Sequence, residues 1–440
     1  MKVKRIVAVM VYALTLTVVA NSFLWLNKSR MILFLTLFMV MSLLAGSFIL
    51  RLRSFRLWAC HHGAILLTAF IPSALISVAY HLVLAAMTIP ADYMVFLKSA
   101  AYCICVEAIL FWDGMLCIYL ASYQLGVKQR LVAAVCGMIP VLNLIVLQKM
   151  LRTVFKEVEA EYGRQQMNLS RADQKLCATK YPLMMVHGIC FRDFKLFNYW
   201  GRIPAELKAN GAEVHYGNHH SATSVKDSAQ ELTDRIKKLC KHTGCEKVNI
   251  IAHSKGGLDC RYALEKCGLA PYVASLTTVN TPHRGCQYAD YLLENIEQQT
   301  QQKVGRAYNF AMKRVGDKNP DLLAAVKDLT YEACAAFNEQ IGDPEGIFCQ
   351  SVGSVLKNAA SAKFPMNFSY HLVKLFDGPN DGLVSEPSFR WGEKYTLVEP
   401  TGEEGISHAD IIDLSRMDVE GFDVREFYVG LINDLKNRGL

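Results

Sequence analysis

The sequence predicts a two-part chain: an α-helical membrane region of four or five spans, then an α/β domain with a mostly parallel sheet and helices on both faces. Three observations predict it. Long uncharged apolar runs fill the first 150 residues, and short apolar runs alternate with amphipathic stretches over 181–440. Within the second part a single serine separates such a run from a glycine pair, in "KVNIIAHSKGGLDCRYAL" (247–264). The 440 residues are enough for both parts, with a full core in the second.

Charge separates the two parts. Residues 1–150 hold 12 of the 47 Lys and Arg but only 3 of the 40 Asp and Glu, so the formal +7 belongs to the N-terminal part. Positive flanks around apolar runs are the pattern of membrane helices. They do not mark a nucleic-acid surface, and the nearly neutral remainder gives no reason to expect a polyanionic partner. Residues 6–27 and 31–50 are uncharged, as are 57–91, where His61, His62, Pro72, His81 and Pro90 interrupt the run. A fourth apolar segment, 94–121, carries Lys98, Glu107 and Asp113, and a fifth, 131–148, is uncharged. About 20 apolar residues cross a bilayer.

Carboxylates inside a span point to function by default. Glu107 and Asp113 do not share a helix face, however, which makes a shallow span or a helix–helix contact the simpler role. By the positive-inside rule the basic residues at 2–5, 51–56 and 128–130 face the cytoplasm. Five spans then put everything after 150 outside the cytoplasm and four keep it inside; the former is favoured. The start "MKVKR" with an apolar run ending in "VVA" imitates a cleavable signal, but the spans that follow at once favour an uncleaved helix. The 14 cysteines show no metal-ligand spacing. Cys240 with Cys245, or Cys260 with Cys267, could be bridged; buried free thiols are the alternative.

Residues 151–180 are charged, with apolar positions at helical spacing, and read as a helical linker. Beyond it, 181–186, 247–252, 273–279, 370–376 and 394–400 read as buried strands, and 227–241 and 257–267 as amphipathic helices. Strands that do not alternate in polarity, separated by helices, indicate a parallel sheet covered on both faces.

In Ala252-His253-Ser254-Lys255-Gly256-Gly257 the serine follows a strand and opens a helix, the context of a nucleophile elbow. The turn is so sharp that residues two before and two after Ser254 must be small, as Ala252 and Gly256 are. A serine nucleophile needs a base and an orienting acid, which come later in the chain order Ser, Asp/Glu, His. "FDGPNDGLVS" (376–385) offers Asp377 and Asp381, and "GISHADIID" (405–413) offers His408. The base takes the serine proton while the acid fixes its tautomer. "VHGI" (186–189) ends the first strand of the α/β part, so the N–H groups of Ile189 and Lys255 are candidate oxyanion donors, with His187 and Gly188 shaping the turn.

These pieces resemble the α/β-hydrolase triacylglycerol lipases of the bacterial true-lipase type. The likeness runs over nearly all of 181–440: "YPLMMVHG", "KVNIIAHSKGG" into "RYAL", "TTVNTPHRG", "FN" at 337–338, "NDGLVS", "SFRWG" and "SHADIID". It implies an α/β-hydrolase fold with Ser254 as nucleophile, Asp381 in "NDGLV" as acid and His408 as base. It also implies oxyanion donors at Ile189 and Lys255, and a cap or lid in the helical insertion at about 286–335. An ordinary helical excursion is the alternative there. Many relatives hold a structural calcium near the base, and Asp410 matches one ligand position. The upstream stretch "SAKFPMNFSYH" has no carboxylate to complete such a site, so no cofactor is expected.

The resulting expectation is a membrane-anchored serine hydrolase of lipid esters, the anchor holding it where its substrate collects. A phospholipase or general carboxylesterase is the alternative within the class, and a membrane sensor with a non-catalytic hydrolase domain the alternative outside it.

Overall fold

The computed structural model describes residues 2–440 except 45–49, 51, 53, 138, 140, 190–197, 315, 316 and 318. The basic residues Arg51 and Arg53, used above for orientation, therefore lie outside the described residues. The chain forms two compact units, Met1–Leu169 and Ser170–Leu440.

The first unit is helical: α1 (Lys2–Ala20), α2 (Lys28–Leu44), α3 (Phe55–Ala121), α4 (Val127–Cys136) and α5 (Leu142–Ser170). Helix α3 breaks at Asp92, whose backbone is extended (φ −154°, ψ 95°). Pro90 stands two residues earlier, where it removes a backbone donor, and the Asp92 carboxylate accepts from the Met94 N–H at 2.9 Å, starting the second arm. The arms run antiparallel. His62 faces Asp113 at 3.5 Å, Ser73 faces Glu107 at 2.6 Å and His81 faces Ser99 at 3.2 Å. Gly63 lets the arms touch, because a Cβ there would come within 2.7 Å of the Gly114 carbonyl oxygen. Leu16 and Val19 of α1 pack on Ile65, Leu66, Val106 and Leu110.

Three segments are long and apolar enough to cross a membrane: Val3–Ala20, Phe55–Ile89 and Asp92–Ala121. They correspond to the expected first, third and fourth spans. In α2 the apolar helix is the shorter Ser29–Val40. The expected fifth span, 131–148, is split between Cys136 and Leu142, where the sequence holds Gly137 and Pro140, the two residue types that end helices. Residues 151–169 of the expected linker are also part of the first unit. Met150, Leu151, Val154 and Val158 of α5 pack on Cys60, Leu67, Ile118 and Leu125, and Glu157 accepts from Arg56, Ser122 and the Tyr123 N–H. The division between the two units falls at 169/170, inside the expected linker.

The second unit is built on six parallel strands in the order β2-β1-β3-β4-β5-β6. They are β1 (Leu183–Val186), β2 (Val214–Tyr216), β3 (Val248–His253), β4 (Val273–Val279), β5 (Phe348–Ser354) and β6 (Lys394–Val398). Both faces of the sheet are covered. Leu183 and Met185 of β1 join Ile251 against α6 (Ile203–Ala209) and α15 (Val424–Asn437), through Ile203, Leu207, Tyr428 and Ile432. Met184 and Val186 join Ile250 and Ala252 against α7 (Val225–Thr243) and α8 (Lys255–Lys266), through Leu232, Ile236 and Ala263. Strands buried on both sides need apolar residues at consecutive positions, which is why these runs do not alternate.

Between β4 and β5 the insertion folds as α9 (Gln287–Asn295), α10 (Gln298–Arg314), α11 (Leu322–Lys327) and α12 (Tyr331–Gln340). Between β5 and β6 lie α13 (Met366–Asp377) and the short α14 (Glu386–Phe389). The expected strand at 370–376 is therefore helix: Met366, Tyr370 and Val373 are buried at helical spacing while Phe368 and Leu375 face outward. Strands β2 and β5 escaped the sequence reading, one for its three-residue length and the other for its polar run "FCQSVGS". Cys240, Cys245, Cys260 and Cys267 are free thiols; the sulfurs of Cys240 and Cys245 lie 3.5 Å apart without a bond.

Candidate active site

Strand β3 runs through the middle of the sheet and ends at His253, and α8 starts at Lys255. Ser254 alone makes the turn, at φ 55°, ψ −134°. A non-glycine residue in that region is strained by about 1–3 kcal/mol and is held by its surroundings. The Ser254 N–H donates to the Val279 carbonyl at 2.9 Å, and the Ser254 carbonyl accepts from Thr281 Oγ1 at 2.8 Å. The neighbours are small because the backbone passes close. A Cβ on Gly188 would sit 2.7 Å from the Ser254 Cβ, and one on Gly256 would sit 2.7 Å from the His187 carbonyl oxygen.

Of the two candidate acids, Asp381 meets the candidate base. Its Oδ2 lies 2.6 Å from His408 Nδ1 and 2.6 Å from Asn280 Nδ2. Its Oδ1 accepts from the N–H groups of Leu383 and Val384 at 2.9 and 2.8 Å. The His408 N–H in turn donates to the Asp381 carbonyl at 2.9 Å. Asp381 is fully buried, and every lone pair it needs for a fixed carboxylate is engaged. Asp377 instead ends α13 beside the backbone of Gln287 and Tyr288, where burial pushes its carboxyl up from the usual range.

His408 stands beside the turn. Its ring centroid is 4.4 Å from that of His253, the residue before Ser254. Donation from Nδ1 to Asp381 leaves Nε2 as the lone-pair nitrogen. Among the described residues no hydrogen bond joins Ser254 Oγ to His408; in unliganded sites such bonds are commonly long and tighten around substrate. His253 is buried, and burial followed by the charge of His408 holds its imidazole neutral, well below its ordinary range.

Ile189 is half-buried in the turn after β1, directly following Gly188, and residues 190–197 beyond it lie outside the described residues. Lys255 is the first residue of α8, so its N–H is among the unpaired donors of a helix start. Its side chain has a separate role. Fully buried, Nζ donates to Asp259 Oδ1 at 2.7 Å and to Ser228 Oγ at 2.9 Å. Asp259 Oδ2 reaches His219 Nε2 at 3.3 Å, and the His219 ring stacks on His187 at 4.6 Å. Burial pushes the Asp259 carboxyl up to about 6 against the pull of Lys255. Burial and then the Lys255 charge push His219 down to about 3.

Sequence reasoning missed Asn280, Tyr199 and this buried network. Asn280 was within reach, since it lies in the motif "TTVNTPHRG". Other motif residues tie the insertion to the core: Arg261 of "RYAL" donates to Asn338 Oδ1 at 2.9 Å, and Asn338 Nδ2 donates to the His283 carbonyl at 2.8 Å.

Asp410, the candidate calcium ligand, is hydrogen-bonded within its own turn. Its Oδ2 accepts from the Ser407 hydroxyl at 2.5 Å and from the Ser407 N–H at 3.3 Å. The nearby Asp413 carboxylate is taken by Arg202, through N at 2.7, Nε at 2.9 and Nη2 at 2.7 Å. Among the described residues the one cluster of three or more metal-ligand side chains, His62, Asp113 and Cys117, belongs to the first unit.

Comparison with known proteins gives the same neighbourhood. Residues 182–320 match the family model of palmitoyl protein thioesterase. A triacylglycerol lipase of Pseudomonas fragi is 31% identical over 298 residues, covering 60% of this chain and 98% of that lipase. A triacylglycerol lipase of Pseudarthrobacter phenanthrenivorans is 31% identical over 174 residues, 37% of this chain and 54% of that lipase. The chain thus spans about half the length of that second relative, and 48% of a Burkholderia plantarii lipase. The crystal structure of Staphylococcus hyicus lipase, at 17% identity, covers 59% of this chain and 98% of its own with a TM-score of 0.47.

Proposed function

The chain belongs to the triacylglycerol lipase family, and from that we propose that it hydrolyses lipid esters through an acyl-enzyme on Ser254. The observation that carries this reading is the His408–Asp381 pair beside a strained serine at the start of a helix. His408 Nε2 takes the Ser254 proton as Oγ attacks the ester carbonyl. The oxygen of the tetrahedral intermediate is met by the N–H groups of Lys255 and Ile189 at the positive end of α8. Collapse passes the proton to the leaving alcohol. Water then enters, is deprotonated by His408 and releases the fatty acid. Asp381 stays ionised throughout and holds the imidazolium.

Labelling of the full chain in detergent by a fluorophosphonate tests the nucleophile. Labelling of wild type and none of Ser254→Ala supports it; equal labelling of both sinks it. A panel of short and long acyl esters, in solution and in micelles, then tests the lipid preference, and activity confined to dissolved short esters would overturn it. The match to the palmitoyl protein thioesterase model favours a long-chain thioester as a second acyl donor, so the panel includes one.

We further propose that the three apolar segments anchor the enzyme in a bilayer, with the α/β unit outside the cytoplasm, and that α9 to α12 cover the site as a lid. A reporter fused after residue 160 gives the sidedness, and a cytoplasmic signal would discard it.

A further inference from the structure

The first unit holds a half-open cavity of about 620 Å³ between the arms of α3 and the start of α5. Its wall is apolar over most of its area, with Phe70, Phe96, Ile104, Phe111, Leu147 and Met150 contributing. One carboxyl group faces into it. Glu107 is 7% exposed; its Oε1 accepts from Ser73 Oγ at 2.6 Å and from Ser77 Oγ at 3.3 Å, while its Oε2 has no hydrogen-bond partner among the described residues. The polar groups beside it are engaged. Ser77 Oγ receives the Asn21 amide at 2.8 Å, and the His81 ring is held between the Ser77 carbonyl and Ser99 Oγ at 2.9 and 3.2 Å. A second unpartnered atom in the lining, Asn143 Oδ1, is also an acceptor.

A buried carboxylate oxygen left unpaired in an apolar wall costs free energy that a hydrogen-bond donor would recover. The cavity therefore asks for a ligand that is apolar along its length and donates at one end. Its volume lies within the range of about 300–1,000 Å³ that encloses one small ligand. That suits one acyl chain with a small head and not the three chains of a triacylglycerol. We propose that the helical unit binds a single-chain lipid whose head, a hydroxyl or an ammonium, donates to Glu107. A monoacylglycerol supplies the first and a long-chain amine the second. The site is separate from Ser254 and stands whether or not that serine reacts.

The test uses the full chain carrying Ser254→Ala, in detergent, with a diazirine-bearing monoacylglycerol. Irradiation and digestion are expected to give saturable adducts within residues 70–115, displaced by unlabelled monoacylglycerol but not by a methyl ester of the same chain, which has no donor. Glu107→Leu, which removes the acceptor, is expected to weaken displacement about 2–10-fold, the worth of a hydrogen bond. Glu107→Gln keeps an acceptor, so a monoacylglycerol loses less than a long-chain amine does. An amine that binds more tightly than the monoacylglycerol to wild type and loses as much in Gln as in Leu identifies the ammonium head. Adducts that never saturate, or that Glu107→Leu and Glu107→Gln leave unchanged, mean annular lipid only and overturn the proposal. A wild-type protein that hydrolyses no ester would sink the reading of Ser254 and leave this binding untouched.

Discussion

The Tyr199 hydroxyl and Nδ1 of His253 share a hydrogen bond across 2.5 Å. The same oxygen accepts the Gly188 N–H at 3.2 Å, so one phenol ties the turn after β1 to the residue before Ser254. Replacing it by Phe strands both groups. Tyr199→Phe is expected to lower stability by about 1–3 kcal/mol and to reduce kcat/KM through the loosened 188–189 turn. Thermal unfolding and ester kinetics on one preparation check this; unchanged kinetics would show that the turn is held by other contacts.

Asp381 is expected to matter more for rate than for folding. Asp381→Asn can keep the backbone N–H contacts at 383 and 384 but gives His408 no fixed carboxylate. A fall in kcat of about 10³–10⁴-fold is expected from the wrong tautomer, with a parallel fall in fluorophosphonate labelling rate and a nearly native unfolding midpoint.

The half-buried Arg202 pairs with the buried Asp413 and so anchors the segment carrying His408. Removing one partner of such a pair leaves the other charge unmet and costs about 3–5 kcal/mol. Arg202→Met is expected to destabilise the protein by that order, and the double variant Arg202→Met, Asp413→Leu to recover part of it. Denaturant titration of both variants gives the comparison.

Acid should unfold the second unit early, for a specific reason. His219, His253 and His283 are held neutral by burial, with His219 down to about 3. Their folded values lie below the unfolded value near 6.5, so the stability they contribute is present above about pH 6.5 and is lost as pH falls. Asp259 acts in the opposite sense. Its folded value of about 6 is above the unfolded 3.8, so its contribution is present below about pH 4 and lost as pH rises to 6. Between about pH 6 and 4 two net protons remain, which corresponds to roughly 2–3 kcal/mol per pH unit. Unfolding midpoints across that range measure the slope, and His283→Gln should lower it by about one proton.

Chelation should leave the protein unaffected. Because Ser407 takes the Asp410 carboxylate and Arg202 takes Asp413, EDTA is expected to change neither the unfolding midpoint nor ester turnover. A midpoint lowered by EDTA and restored by calcium would contradict it.

The sequence made some of this legible and hid the rest for physical reasons. Ser254, Asp381 and His408 stood out because each occupies a turn whose neighbours are constrained: small residues around a sharp elbow, and short polar segments after apolar runs. The central strands β1, β3 and β4 stood out because burial on two faces demands unbroken apolar runs. Strand β5 did not, since Gln350, Ser351 and Ser354 satisfy partners such as Thr277, Trp391 and Asn280 that only the folded chain brings near. Helix α13 has the sequence pattern of a strand because its exposed Phe368 and Leu375 fill the gaps between buried positions. Tyr199 and Asp259 act through contacts to residues 54 and 40 positions away, and no local pattern encodes those.

The reversal of α3 at Asp92 has a topological consequence. With His62 opposite Asp113 and His81 opposite Ser99, the helix returns to the level at which it began. However deeply its arms lie in a bilayer, residues 55 and 121 emerge on the same side. In the proposed anchoring the segment contributes an even number of crossings, which leaves parity to α1, α2 and the stretch after residue 126. On the proposed anchoring, the compartment that receives Ser254 would be set by those other helices, whose flanks carry Lys2, Lys4, Arg5, Lys28, Arg30, Lys128 and Arg130. Charge reversals at those positions are the place to change it.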